Sequence, residues 1–177
     1  RSGGGLEPET ATNYSFGFLS EIGVADVTVD YFHIDITDRL SLFSSEITAN
    51  DRHLLSGSGV ISSVSNIQYY ANDFDSTTQG IDVVATLPFH LFNGADNMLS
   101  LAFNYTDTEL KVTNDNSPIA NDSVRKEREK GIPNTRTVLT FYHWQGDLSA
   151  MLRVNHYGSF YNAQFNDVSQ LEKVGAM

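Results

Sequence analysis

Long stretches of this chain alternate apolar and polar residues. The connections between them are short, then long, then short. From Phe32 the even positions read Phe32, Ile34, Ile36, Asp38, Leu40 and Leu42, with His33, Asp35, Thr37, Arg39 and Ser41 between them. Successive side chains of a strand point to opposite faces, so a period of two gives one apolar face and one polar face. The pattern recurs in Tyr14, Phe16 and Phe18, in Ile81, Val83, Ala85, Leu87, Phe89 and Leu91, in Leu99, Leu101, Phe103 and Tyr105, and in Leu148, Ala150, Leu152 and Val154. The fold class that follows is all-β, an antiparallel up-and-down meander of about six long strands.

The strands fall at Thr10–Leu19, Asp26–Phe43, Asn66–Leu91, around Leu99–Thr106, at Asn134–Trp144 and at Leu148–Tyr161. In the second, Val27, Val29 and Tyr31 are apolar on the odd phase, and Phe32 opens an even phase. One extra residue flips side-chain parity, so a β-bulge is expected at Phe32. Pro88 has no N–H to give a ladder, so an irregularity is expected there. Short turns are expected at Glu21–Ala25, at Phe92–Asn97 with its Asn93-Gly94, and at Gln145-Gly146-Asp147. Long, polar connections are expected at Ser44–Ser65, with a little helix near Asp51–Leu55, at Thr113–Ile132, and from Asn162 onward. A meander between two equivalent solvents has no reason to sort its loops by side. Outer-membrane β-barrels do sort them, short turns on one side and long loops on the other. Aromatics near strand ends (Tyr69, Tyr70, Phe89, Phe92, Tyr142, Trp144, Tyr157, Phe160 and Tyr161) suit a membrane interface. Aromatics also favour strands of any kind.

With 22 acidic and 11 basic residues the formal charge is -11. That argues against a nucleic-acid partner and against polybasic binding to an anionic membrane surface. The chain has no cysteine, which excludes disulfides, thiolate metal sites and a Cys nucleophile. No stretch approaches the roughly 18 apolar residues of a spanning helix. Mean hydropathy is -0.26, but that measure is blind to barrels, whose strands are half polar. Arg1 to Gly5 is a Gly-rich start without the apolar core of a signal peptide, so a barrel reading makes the chain a piece of a longer precursor.

Enzyme chemistry finds little to stand on. His33, His53, His90, His143 and His156 make no close pairing of metal-ligand spacing. Asp73 with Asp75, and Asn114-Asp115-Asn116, carry oxygen ligands that suit a cation, and a solvated polar loop explains them more simply. No nucleophile elbow, phosphate loop or dinucleotide fingerprint is present, and Gly57-Ser58-Gly59 is loop punctuation. The run Arg125-Lys126-Glu127-Arg128-Glu129-Lys130 mixes signs, as a solvated loop or a short salt-bridged helix does; contact with lipopolysaccharide phosphates or an anionic ligand is its functional alternative. No catalytic residue, metal site or cofactor is expected. Asp35, Arg39, Asp82, Asn104, Arg136 and Arg153 are expected on a wet inner wall, facing a plug or a passing substrate.

Five segments carry a resemblance to TonB-dependent outer-membrane receptors. Leu6-Glu7-Pro8-Glu9-Thr10-Ala11-Thr12-Asn13-Tyr14-Ser15-Phe16-Gly17 is similar to the family's L-x-P-E-x-S-x-N-Y-E-x-G segment. Asp30-Tyr31-Phe32-His33-Ile34-Asp35-Ile36-Thr37-Asp38-Arg39-Leu40 resembles its x-Y-F-x-x-D-I-x-D-x-I strand. Asn72 with Thr78-Gln79-Gly80-Ile81-Asp82 resembles the strand that ends G-(I/V)-E. Asn104-Tyr105-Thr106-Asp107-Thr108 and Ile132-Pro133-Asn134 resemble the two motifs that follow. The resemblance implies part of a 22-stranded transmembrane β-barrel of the bacterial outer membrane, its lumen plugged by a separate N-terminal domain. It implies import of a scarce nutrient (an iron–siderophore complex, cobalamin or an oligosaccharide) with energy relayed by TonB. The partners implied are outer-membrane lipid, the receptor's own plug domain, TonB and the small nutrient ligand. Residues 1–177 would then be a partial barrel without the plug, the TonB-contacting segment or the final strand.

Two rivals share the alternation. In a soluble β-sandwich, such as a carbohydrate-binding module, Phe32, Ile34, Ile81, Val83, Leu99 and Leu101 would pack on a second sheet. In a barrel wall they would point outward. A porin differs from the receptor reading in lacking a plug. An open sheet with two unpaired edges and a bare apolar face aggregates in water. Expressed alone in detergent-free buffer, the chain is therefore expected to aggregate by size-exclusion light scattering. Near-UV circular dichroism should show fixed packing only in detergent or lipid. A monomer with fixed packing in buffer would favour the sandwich.

Overall fold

The computed structural model describes residues 5–46, 66–91, 94–113, 117–163 and 170–177. Six strands make one sheet in sequence order: β1 (Thr10–Ile22), β2 (Ala25–Glu46), β3 (Asn66–Leu91), β4 (Ala95–Val112), β5 (Thr135–Gln145) and β6 (Leu148–Tyr157). Every neighbouring pair is antiparallel. This is the up-and-down meander that the alternation calls for. The short turns share one end of the sheet. Gly23 (φ 67°) in Gly23-Val24 and Gly146 (φ 58°) in Gly146-Asp147 take positive φ, and the residue after each does not. That is the type II′ arrangement, whose twist matches the strands it joins.

The strands differ in length. β1, β5 and β6 have 13, 11 and 10 residues, close to the ~9–11 a tilted strand needs to cross a bilayer. β2 and β3 have 22 and 26, so their hairpin stands well beyond the rest. The connection after β4 holds a 3-10 turn, Pro118–Ala120, and helix α1, Asp122–Lys130. Asn121 caps α1 by accepting from Ser123 N–H and Val124 N–H, and Arg128 and Lys130 in its last turn oppose the helix dipole. The mixed-charge run is thus a short helix, with Arg125 paired to Asp122 one turn back.

The register moves the expected bulge. From Asp26↔Thr86 to Ile36↔Ser76 the β2–β3 ladder is unbroken, with no shift at Phe32. The irregularity comes later, between Ile36 and Leu40. There Asp38 is the one non-glycine with positive φ (57°) among the described residues, a conformation Asp tolerates better than most. β2 has an extra residue at Thr37–Asp38, and β3 answers with one at Asp73. The two cancel, so Leu40↔Asn72 resumes the offset of Ile36↔Ser76. Pro88 causes no break: Pro88↔Met98 continues the β3–β4 ladder, and Thr86 is the last β3 residue paired with β2, so the proline sits where β3 has one neighbour. Strand six ends at Tyr157, not Tyr161. Phe160–Ala163 leaves the sheet as β7 and pairs with β8, Leu171–Val174. The little helix expected near Asp51–Leu55 lies outside the described residues.

Bulges free backbone groups, and those groups need partners. Asn72 supplies several. Its Nδ2 donates to the carbonyls of Glu7 (2.8 Å) and Asp38 (2.5 Å), and its Oδ1 accepts from Glu7 N–H (2.8 Å). Asp75 Oδ1 accepts from Asp38 N–H (3.1 Å), and Glu9 Oε1 accepts from Leu40 N–H (2.7 Å). The segment before β1 is therefore tied to β2 and β3 through one amide. Among the described residues the buried apolar side chains are Phe74, Ala95, Ile119 and Ala163, so this is one layer and not a two-layer core. Replacing Asn72 by Ala should destabilise the folded protein by about 1–3 kcal/mol in denaturant unfolding. Asn72→Asp should recover little of that, because both carbonyl partners need a donor.

Candidate functional site: the two faces of the sheet

Cross-strand partners share a face, so the register sorts every side chain. One face carries Phe16, Phe18, Val27, Val29, Ile81, Val83, Ala85, Leu87, Leu99, Leu101, Phe103, Leu139, Phe141, Leu152 and Val154. Phe16 is 74 % exposed and Leu152 64 %, large apolar groups with no second sheet over them among the described residues. Along β3 this band runs from Ile81 to Phe89. About nine residues at ~3.3 Å each, tilted by roughly 40°, make a band roughly 23 Å tall, against ~25 Å for the apolar belt of a barrel in lipid. Above it, on the same face, polarity returns. Tyr31 Oη donates to Gln79 Oε1 (3.3 Å) and meets His33 Nδ1 (3.4 Å), on whose ring Tyr14 stacks at 4.9 Å. His33 Nε2 meets Asp35 Oδ2 (3.0 Å), and Thr77 Oγ1 donates to Asp35 Oδ1 (2.7 Å). The rings at this boundary are Tyr14, Tyr31 and Tyr105. Tyr142, Trp144 and Tyr157, expected in the girdle, stand on the opposite face, where Tyr142 and Trp144 stack at 5.6 Å.

That opposite face carries two polar rows at the level of the band, with Leu19, Val84, Ala102 and Val138 in the row between them. Gly17, Asp30, Asp82, Asn104, Arg136 and Tyr157 form a single row across all six strands. Asn104 Nδ2 donates to Asp82 Oδ1 (2.7 Å), and the Arg136 guanidinium lies 5.3 Å from the Tyr157 ring centre. Asp30 is directly opposite Asp82, a like-charged pair. A row nearer the turns holds Asp26, Thr86, Ser100, Thr140 and Arg153, with Arg153 Nε donating to Thr140 Oγ1 (3.2 Å). Arg39 is on this face too: it donates to Ser76 Oγ (3.2 Å) and lies 5.2 Å over Phe74. Of the six expected wall residues, Arg39, Asp82, Asn104, Arg136 and Arg153 share the polar face. Asp35 is on the other, above the apolar band. Phe32 and Ile34 likewise sit opposite Ile81, Val83, Leu99 and Leu101, because no bulge intervenes at Phe32. Asp30 completes the central row and was absent from the expected set, although the odd phase of Val27, Val29 and Tyr31 already turns it inward.

Two glycines of this face give room to neighbours. A Cβ on Gly80 would come within 2.4 Å of the Tyr105 carbonyl oxygen and 2.5 Å of the Phe32 ring. A Cβ on Gly17 would meet the Asp30 carboxylate at 1.9 Å, the movable end of a side chain.

Toward the loop end, α1 lies along the part of β4 that β5 does not reach. Glu129 Oε1 accepts from Leu110 N–H (2.8 Å), and Asn134 O accepts from Thr106 N–H (2.8 Å). Lys130 and Asn134 both donate to Asp107 Oδ1, and that hydrogen bond holds the Lys130 ammonium above its ordinary pKa. Lys126 sits 4.0 Å from the Tyr161 ring centre, joining α1 to β7. Asp73 and Asp75, the expected oxygen pair, do not converge. Asp75 serves Asp38 N–H, and Asp73 is fully buried with Oδ2 accepting from Ser41 Oγ (2.7 Å). Asn114, Asp115, Asn116 and His53 lie outside the described residues. Among the described residues no group of three or more His, Asp or Glu is placed to hold a metal.

Comparison with known proteins agrees with the two-faced sheet. The family described as TonB dependent receptor-like, beta-barrel matches residues 1–176. No curated protein matches the chain.

The two glycines should respond differently to the same added methyl. Gly80→Ala should destabilise by about 1–3 kcal/mol, and Phe32→Ala should not rescue it, since the Tyr105 carbonyl stays in place. Gly17→Ala should cost under about 1 kcal/mol, because Asp30 can turn away. Equal losses in denaturant melts would contradict this register.

Proposed function

Because the chain belongs to the TonB-dependent receptor β-barrel family, we propose that it forms part of the wall of an outer-membrane receptor that imports a scarce nutrient with energy relayed by TonB. It serves transport, not catalysis. The apolar band faces lipid, the polar face lines the lumen, the short turns are periplasmic and the long connections are external. An iron–siderophore complex, cobalamin or an oligosaccharide is the cargo class. The row of Asp30, Asp82, Asn104 and Arg136 faces the plug domain or the passing ligand, as do Arg39 and Arg153. Asp35 takes a different role, at the outer rim of the lipid belt.

One observation carries this reading: a single register places a bare apolar band of bilayer height on one face and a charged row on the other. A sandwich would bury that band; a barrel wall needs it exposed. Cysteine spin labels at Leu101 and Ala102 of the complete, lipid-reconstituted receptor test it directly. The label at Leu101 should be relaxed by oxygen, which concentrates in lipid, and the label at Ala102 by a water-soluble nickel complex. The reverse pattern, or equal relaxation at both, would sink the assignment of faces. In the same preparation Leu101→Arg should cost about 2–4 kcal/mol near the midplane. Ala102→Arg, facing water, should stay within about 0.5 kcal/mol.

A further inference from the structure

A spanning sheet leaves its lipid belt through the headgroup layer, so the side chains just above the belt meet polar lipid. Successive rows on one face are two residues apart, about 5 Å in height at a strand tilt of roughly 40°. On the outer face Tyr31, Ile81 and Tyr105 form the boundary row. His33, Gln79 and Asp107 stand in the next row up, and Asp35, Thr77 and Glu109 in the row above that. The cations at this level are engaged. His33 Nε2 meets Asp35 Oδ2 (3.0 Å), and Lys130, reaching over from α1, donates to Asp107. Lys111, one row higher, stands across from Asp75. Among the described residues of these two rows, a lipid phosphate finds no unengaged cation. What stays open is uncharged or anionic. Gln79 is exposed and its Oε1 accepts from Tyr31 Oη (3.3 Å), which leaves its amide N–H groups without a partner among the described residues. The Glu109 carboxylate is exposed and makes no ion pair among the described residues. Tyr31 and Tyr105 are 39 % and 38 % exposed, so both rings offer an apolar flank beside these groups.

Resting on the proposed assignment of the apolar band to lipid, we propose that this patch binds the uncharged, hydroxyl-rich headgroup of a glycosyl lipid. Sugar hydroxyls both donate and accept, so they donate to Glu109 and accept from the Gln79 amide, while the C–H flank of the sugar lies against Tyr31 and Tyr105. A carboxylate accepts strongly from hydroxyls and repels a phosphate. The patch is continuous with the apolar band below it, where Val83 and Phe103 take the acyl chains of the same lipid.

Native mass spectrometry of the complete receptor tests this, with the protein released from mixed micelles that hold equal amounts of digalactosyl diacylglycerol, phosphatidylglycerol and phosphatidylethanolamine. The galactolipid should be retained about threefold more than either phospholipid, the ratio expected from one or two hydrogen bonds. Gln79→Ala and Glu109→Gln, both at exposed positions, should each lower that retention about threefold. Asp107→Asn, which releases the Lys130 ammonium, should raise phosphatidylglycerol by about the same factor. Phosphatidylglycerol or phosphatidylethanolamine retained as well as the galactolipid on the wild-type protein would overturn the proposal, in favour of a phosphate or an ammonium group respectively. Unchanged galactolipid retention in either Gln79→Ala or Glu109→Gln would overturn it too, as would phosphatidylglycerol retention that Asp107→Asn leaves unchanged. The Leu101 spin label separates the two levels. If it reports lipid and the galactolipid is not preferred, the headgroup assignment fails and the receptor reading stands; if it reports water, both fail.

Discussion

A backbone amide in hydrocarbon has no water to fall back on, so the wall of this protein must pair every N–H and C=O it exposes there. Within the band, ladders between six strands meet that demand. The difficulty begins where the strands stop matching. β2 and β4 run on after β1 and β5 have ended, and each leaves a flank without a neighbour. The protein answers both flanks in one way: a glutamate reaches over and accepts a backbone N–H. Glu9 takes Leu40 on one side, and Glu129 takes Leu110 on the other. Asn72 closes the remaining gap by bonding two carbonyls and an N–H at once. Side chains thus take over where strands run out, which is also how natural sheets blunt edges that would otherwise recruit another chain.

The faces exchange character along the long hairpin. At band height the outer face is apolar and the inner face charged. Above it the outer face carries His33, Asp35, Thr77, Gln79, Asp107 and Glu109, and the inner face carries Phe32, Ile34, Ile36, Phe74, Leu110 and Val112. The physical reason is the solvent. In lipid the outward residues must be apolar; clear of it, water surrounds the hairpin, and the sheet can gain stability only by burying apolar groups on its inner side. There the connection after β4 returns, with Ile119 fully buried in the cleft that Phe74 lines.

This exchange explains what alternation revealed and what it hid. The strand order, the sorted turns and the apolar phases of β3, β4 and β6 were legible, because each keeps one parity while it crosses the band. β2 does not: its apolar phase passes from odd to even at Tyr31–Phe32 with no change of register. Read by parity alone, a change of solvent looks the same as an inserted residue. The true insertion, at Thr37–Asp38, was hidden because Asp73 cancels it across the ladder. Asp38 itself, a residue that tolerates positive φ, was the available hint. Asn72, Glu7 and Glu9 stood out as separate short motifs. That they meet at one point is a fact of pairing between residues 65 positions apart, which no local pattern holds.

A single-layer sheet cannot stabilise itself as a two-layer domain does. With four buried apolar side chains among the described residues, burial inside the chain is too small to offset the ordering of six strands. Stability must come from what surrounds the sheet: lipid on the band, and further strands along β1 and β6. The edge of β6 shows how a neighbour begins to attach. Met177 and Tyr157 exchange two backbone hydrogen bonds, 2.7 and 3.0 Å, in the place where the next strand of a meander belongs. Each further pair of that kind removes an unsatisfied group that would cost several kcal/mol in hydrocarbon. Folding of such a wall is therefore cooperative with closure, and side chains such as Glu9, Glu129 and Asn72 matter most at the rim, where closure by strands is no longer possible.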